Sequence, residues 1–101
     1  MTPAAAEFGG VKSRDRVTFL RQHGILRRGR VIQVSGTTAR LGPIPIYQLT
    51  LELVGPQGAY RVMVSKALYA PEASAIVGNF LNVLADPGDR TDVILDEATL
   101  L

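Results

Sequence analysis

The sequence predicts a mainly β fold of five strands with two short helices, and three observations carry that prediction. Over residues 46–66, Tyr47, Leu49, Leu51 and Leu53 alternate with Gln48, Thr50 and Glu52. Past a Gly55-Pro56-Gln57-Gly58 segment, Tyr60, Val62 and Val64 alternate with Arg61, Met63 and Ser65. This is the period-two pattern of strands half-buried on one face. Glycine- and proline-bearing clusters at residues 36–45, 55–58 and 86–89 separate the aliphatic runs, as turns do. Helix signals are confined to residues 13–23 and 67–77. The resulting order of strand, strand, strand, helix, strand, strand is that of a small five-stranded OB-like Greek-key barrel, here preceded by a helix. An open meander or a small β-sandwich uses the same elements.

The chain has 101 residues, 47% of them hydrophobic and 20% charged, which is globular material of one-domain size. With no cysteine, disulfides, thiolate catalysis and cysteine-ligated metals are excluded together. The longest apolar runs fall far short of the ~20 residues that a membrane helix needs. The opening Met-Thr-Pro-Ala-Ala-Ala-Glu has neither the basic nor the apolar region of a secretory signal, so the expectation is a soluble, cytoplasmic domain.

Taken in order, residues 1–12 have no sustained period and read as a flexible lead-in to a single domain over 13–101. Ser13 is placed to cap a helix running to His23, with Gly24 as its stop. Residues 27–35 read as the first strand. Its inward face is ambiguous, because Val31 falls on one side and the pair Ile32 and Val34 on the other, which fits two-sided burial or a bulge. Residues 36–45, with two glycines and two prolines, read as a long shaped loop. Pro56 suits the second position of a type I turn and Gly58 the left-handed position after it, so residues 46–66 form a hairpin. Pro71 is tolerated in the first turn of a short helix that Gly78 ends. Residues 79–86 give a fourth strand, with Leu81, Val83 and Ala85 on one side and Phe80 and Leu84 on the other. The Asp86-Pro87-Gly88-Asp89 turn leads to a last strand over 91–96.

Gly29-Arg30-Val31 opening a strand, Pro45 before Leu49-Thr50-Leu51-Glu52-Leu53, Gly58 before Tyr60-Arg61-Val62, then Gly78, Val83, Asp86-Pro87 and Val93-Ile94-Leu95-Asp96 form a pattern. Over roughly residues 24–96 it resembles a family of small bacterial β-domains of unknown function that commonly accompany membrane helices. The resemblance implies a small β-barrel with an accessory role and supplies no site. This sequence differs from those members in carrying no membrane-helix stretch.

Charge is unevenly distributed. Residues 1–40 hold eight cations against Glu7 and Asp15, whereas residues 41–101 hold three cations against seven anions. Such a split suits a polyanionic partner, contact between copies, or termini that lie on one another.

Catalytic signatures are missing. His23 is the only histidine, so neither a zinc triad nor a Ser-His-Asp arrangement can be assembled in one chain. Asp86, Asp89, Asp92 and Asp96 offer oxygen ligands but lack the spacing of a calcium loop. Gly9-Gly10-Val11-Lys12-Ser13 lacks the first glycine of a phosphate loop. The expectation is a non-enzymatic binding or assembly module without cofactor or metal, acting on itself or on another bacterial protein. Met63, Phe80, Leu84 and Ile94, apolar residues assigned to the outward face, are its expected interface, unless the N-terminal helix covers some of them. The alternative is single-stranded nucleic-acid binding by the arginines Arg21, Arg27, Arg28, Arg30 and Arg40, which can neutralise phosphates.

Overall fold

The computed structural model describes residues 13–96; the expected lead-in over 1–12 and the tail from Glu97 lie outside the described residues. Helix α1 spans Arg14–His23, followed by β1 (Ile25–Leu41), β2 (Ile44–Gly55), β3 (Gly58–Ala67), helix α2 (Ala70–Ala75), β4 (Phe80–Asp86) and β5 (Asp89–Leu95). The strands form one antiparallel sheet in the order β3-β2-β1-β4-β5. Its two edges, β3 and β5, approach each other without a backbone ladder between them. The sheet is therefore curled but not closed.

Strand β1 is the centre of the sheet because it serves two neighbours. Its residues 25–30 pair with β4 and its residues 30–41 pair with β2. Gly29 sits where that exchange occurs. A Cβ there would lie 3.0 Å from Leu53 Cδ1 and 3.2 Å from Leu51 Cβ, so a side chain at this position would have to displace those leucines by a few tenths of an ångström where β1 crosses close to β2. Just beyond, the ladder shifts between Val31 and Gln33. This bulge resolves the ambiguous face of β1: Ile32 is the extra residue, Val31 is fully buried, and Val34 also packs against the core.

The central hairpin forms as its alternation predicts. Leu49, Leu51 and Leu53 stand opposite Val64, Val62 and Tyr60, and all but Tyr60 are buried. Gly58 adopts a φ of 113°, the left-handed conformation expected after Pro56-Gln57. From the other side of the sheet, Val83, Ala85 and Val93 complete the core, and Leu68, Ala73 and Ile76 around α2 pack into it. Helix α2 starts with Pro71 in its first turn and a Glu72 carboxylate accepting from the Tyr69 N–H at 3.0 Å.

The long loop expected over residues 36–45 is not one. Strand β1 runs on to Leu41, β2 begins at Ile44, and only Gly42-Pro43 turns the chain, with Gly42 at φ 59°. The glycines and prolines mark an irregular ladder rather than its absence. Register shifts between Gly36 and Arg40, and the Thr37 hydroxyl donates to the Ile46 carbonyl at 2.5 Å. This part of β1 pairs on one side only, and free edges are where bulges are tolerated.

Helix α1 lies on the outer face of β4 and β5. The Ser13 hydroxyl accepts from the Arg16 N–H at 3.2 Å, and Asp15 near the start with Arg21 and His23 near the end suit the helix dipole. Leu20 is fully buried yet stands apart from the main core, as does Ile94. At the helix end a Cβ on Gly24 would meet Leu84 Cβ at 2.9 Å. A small second apolar layer thus sits between helix and sheet. Among the described residues no helix is long and apolar enough to cross a membrane.

Candidate functional site

Because β3, β2, β1 and β4 are consecutive in the sheet, their outward side chains line up in rows. One row is set by three direct pairings: Arg61 opposite Glu52, Glu52 opposite Arg30, and Arg30 opposite Phe80. It reads cation, anion, cation, aromatic, with neighbours spaced about 4.8 Å apart as strands are. Phe80 is 55% exposed, and the Arg28 guanidinium lies 4.6 Å from its ring centroid, so one ring face is already covered by a cation. Met63, 47% exposed, stands on β3 opposite Thr50, beside this row.

The four residues expected to form an apolar interface therefore divide. Phe80 and Met63 remain open to a partner, whereas Ile94 is only 8% exposed and Leu84 is half-buried where α1 covers β4 and β5. The docking of α1 is reinforced by charge. Arg16 Nε donates to an Asp92 carboxylate oxygen at 2.7 Å, and the same guanidinium forms an ion pair with Asp86. The basic N-terminal part of the chain thus meets its acidic end at this point.

Asp86 and Asp89 also accept hydrogen bonds locally. Asp86 accepts from the Gly88 N–H at 2.6 Å, fixing the β4–β5 turn. Asp89 accepts from the Thr91 hydroxyl at 2.7 Å and from the Thr91 N–H at 3.0 Å. The hydroxyl, and after it the backbone N–H, hold the Asp89 carboxyl below its ordinary value of 3.8. Among the described residues no three His, Asp or Glu side chains are grouped to hold a metal ion. His23 rests against Phe19, with ring centroids 5.2 Å apart.

The five arginines expected to act together are dispersed. Arg28 and Arg30 share the outer face with Phe80, and Arg21 belongs to α1. Arg40 is at the far tip of the β1–β2 hairpin, where it donates to the Pro43 carbonyl. It is ten residues along β1 from Arg30, up to roughly 30 Å in an extended strand. Arg27 alternates to the other side of β1, in line with Gly29 and Val31, and reaches a cleft at one end of the sheet beside Tyr60 and Arg90. That grouping was missed from sequence because it joins three strands across the open β3–β5 edge, and Tyr60 alternates as an ordinary core residue.

No family model, curated protein or solved structure matches this chain.

Proposed function

We propose that the protein is a non-enzymatic assembly module that binds a second copy of itself through the outer face of β1, β2, β3 and β4, on an OB-like Greek-key barrel left open between β3 and β5. The order of elements supports the barrel reading: β1 joins β2 to β4, and the helix between β3 and β4 packs into the core.

The row Arg61, Glu52, Arg30, Phe80 carries the proposal, because it is complementary to its own reverse. A two-fold axis between Glu52 and Arg30 sets Glu52 of one copy against Arg30 of the other, twice. It also sets Phe80 against Arg61, twice, leaving the uncovered ring face for the partner's guanidinium. Self-complementarity of this kind is what an isologous dimer requires, and aromatic and arginine side chains are the usual anchors of such interfaces. The nucleic-acid reading has less support on this face. Glu52 lies between two of its arginines and repels phosphate, and only Arg28 and Arg30 of the five proposed arginines share it.

Sedimentation equilibrium tests the reading. The mean mass of the native protein should rise with concentration toward that of a dimer. Phe80→Glu, a change at an exposed site that leaves the core intact, should hold the protein monomeric. A native protein that stays monomeric throughout rejects self-association.

A further inference from the structure

The cleft at the end of the sheet goes beyond that reading and uses none of the outer-face row. It holds about 240 Å³ and is lined by Arg27, Val54, Gly55, Pro56, Tyr60 and Arg90. Two of these six are arginines and none is acidic. Neither guanidinium has a carboxylate of the described residues within ion-pair distance. Two cations facing one concavity without a counter-charge repel each other, and an anion placed between them relieves that repulsion.

Arg90 is also held in place. Its guanidinium lies 4.1 Å from the centroid of the Tyr60 ring, bridging from β5 to β3 across the open edge of the sheet. Stacking occupies a face of the guanidinium and leaves the N–H donors along its rim free, which is the arrangement that binds the oxygens of a phosphate in a fork. Gly55 leaves room for the stacked pair: a Cβ there would lie 3.1 Å from Arg90 Nη1 and 3.2 Å from Tyr60 Cε1, so a larger residue would shift these two side chains by a few tenths of an ångström.

The geometry points to Arg27 and Arg90 as a binding site for a phosphate group. The cleft is smaller than the ~300–1,000 Å³ of pockets that enclose drug-sized ligands, so the ligand is a free di- or monophosphate or the phosphorylated end of a longer molecule.

The test is a titration at low salt of the full chain with inorganic pyrophosphate, following the arginine Nε–Hε signals by NMR. Parallel titrations use a tetranucleotide carrying a 5′-phosphate and the same tetranucleotide with a 5′-hydroxyl. Saturable shifts of Arg27 and Arg90 with pyrophosphate are expected. R27Q and R90K should each weaken binding by about tenfold, the scale of a lost charge-assisted hydrogen bond. R90K keeps the charge and loses the fork, so its effect separates geometry from net charge. Tighter binding of the phosphorylated than of the hydroxyl tetranucleotide would assign the site to a chain end, and equal weakness of both beside pyrophosphate binding would assign it to a free phosphate. Absence of saturable shifts at these two arginines with all three probes overturns the proposal, as does unchanged affinity in both variants. Because the titration follows Arg27 and Arg90 in the cleft and leaves the row residues untouched, failure here leaves the dimer proposal standing, and the reverse also holds.

Discussion

Arg16 and Thr91 show how single side chains settle what the charge pattern left open. From sequence, Asp86, Asp89, Asp92 and Asp96 are an acidic group near the end of the chain. In the fold Asp86 and Asp92 neutralise Arg16, and Asp89 serves the strand that follows it. The spacing of the aspartates was legible, but their partners were not, because Arg16 is separated from Asp92 by 76 residues. The Asp89 contact gives a pH-dependent prediction. A carboxyl whose folded pKa lies below its unfolded value adds stability above the unfolded value and loses that contribution as pH falls through the folded pKa. Asp89 is such a group, with its stabilisation fading below its ordinary value of 3.8. Removing the hydroxyl by Thr91→Val should move the Asp89 titration midpoint upward, read from its side-chain carboxyl by NMR, while the Thr91 N–H keeps part of the depression. A midpoint that does not move would show that the hydroxyl is not the dominant cause.

The elements were legible in proportion to how regular their pattern is. The hairpin over β2 and β3 has an unbroken alternation and a Pro-Gly turn, and every inward assignment on it from Leu49 to Leu53 is buried. The β1–β2 connection was hidden because Gly36, Gly42, Pro43 and Pro45 are loop residues by composition. Their ladder is held instead by cross-strand register and the Thr37 side chain, which single-residue preferences do not encode. Helix α1 was legible by its cap, but its docking site was not, since ten residues with one buried leucine give only a thin apolar stripe. A helix this short is stable through tertiary packing, so its anchor should matter. Leu20→Ala should cost about 2–4 kcal/mol in chemical denaturation, the range for large-to-small changes at buried sites. It should also expose Ile94 and more of Leu84. A loss below about 0.5 kcal/mol, the scale of surface substitutions, would mean that α1 is not held by this contact.

At the scale of the whole molecule, the sheet presents its faces and edges differently. Helix α1 covers the outside of β4 and β5, the core fills the inside, and the outside of β1, β2 and β3 stays open with a row of alternating character. The row is not visible in the sequence. Arg30, Glu52, Arg61 and Phe80 are spread over fifty residues, and only the register of three strand pairs brings them side by side. On that register rests the proposal that Glu52 of one copy meets Arg30 of the other. Charge exchange across the interface sets which altered copies should recognise each other. In Glu52→Arg the pair becomes two arginines, and in Arg30→Glu it becomes two glutamates, so each variant alone should sediment as a monomer. Mixed in equal amounts, they restore an arginine against a glutamate at both contacts, and sedimentation velocity should show a dimer containing one of each. A mixture that remains monomeric, or single variants that associate as the native protein does, would contradict the proposed interface.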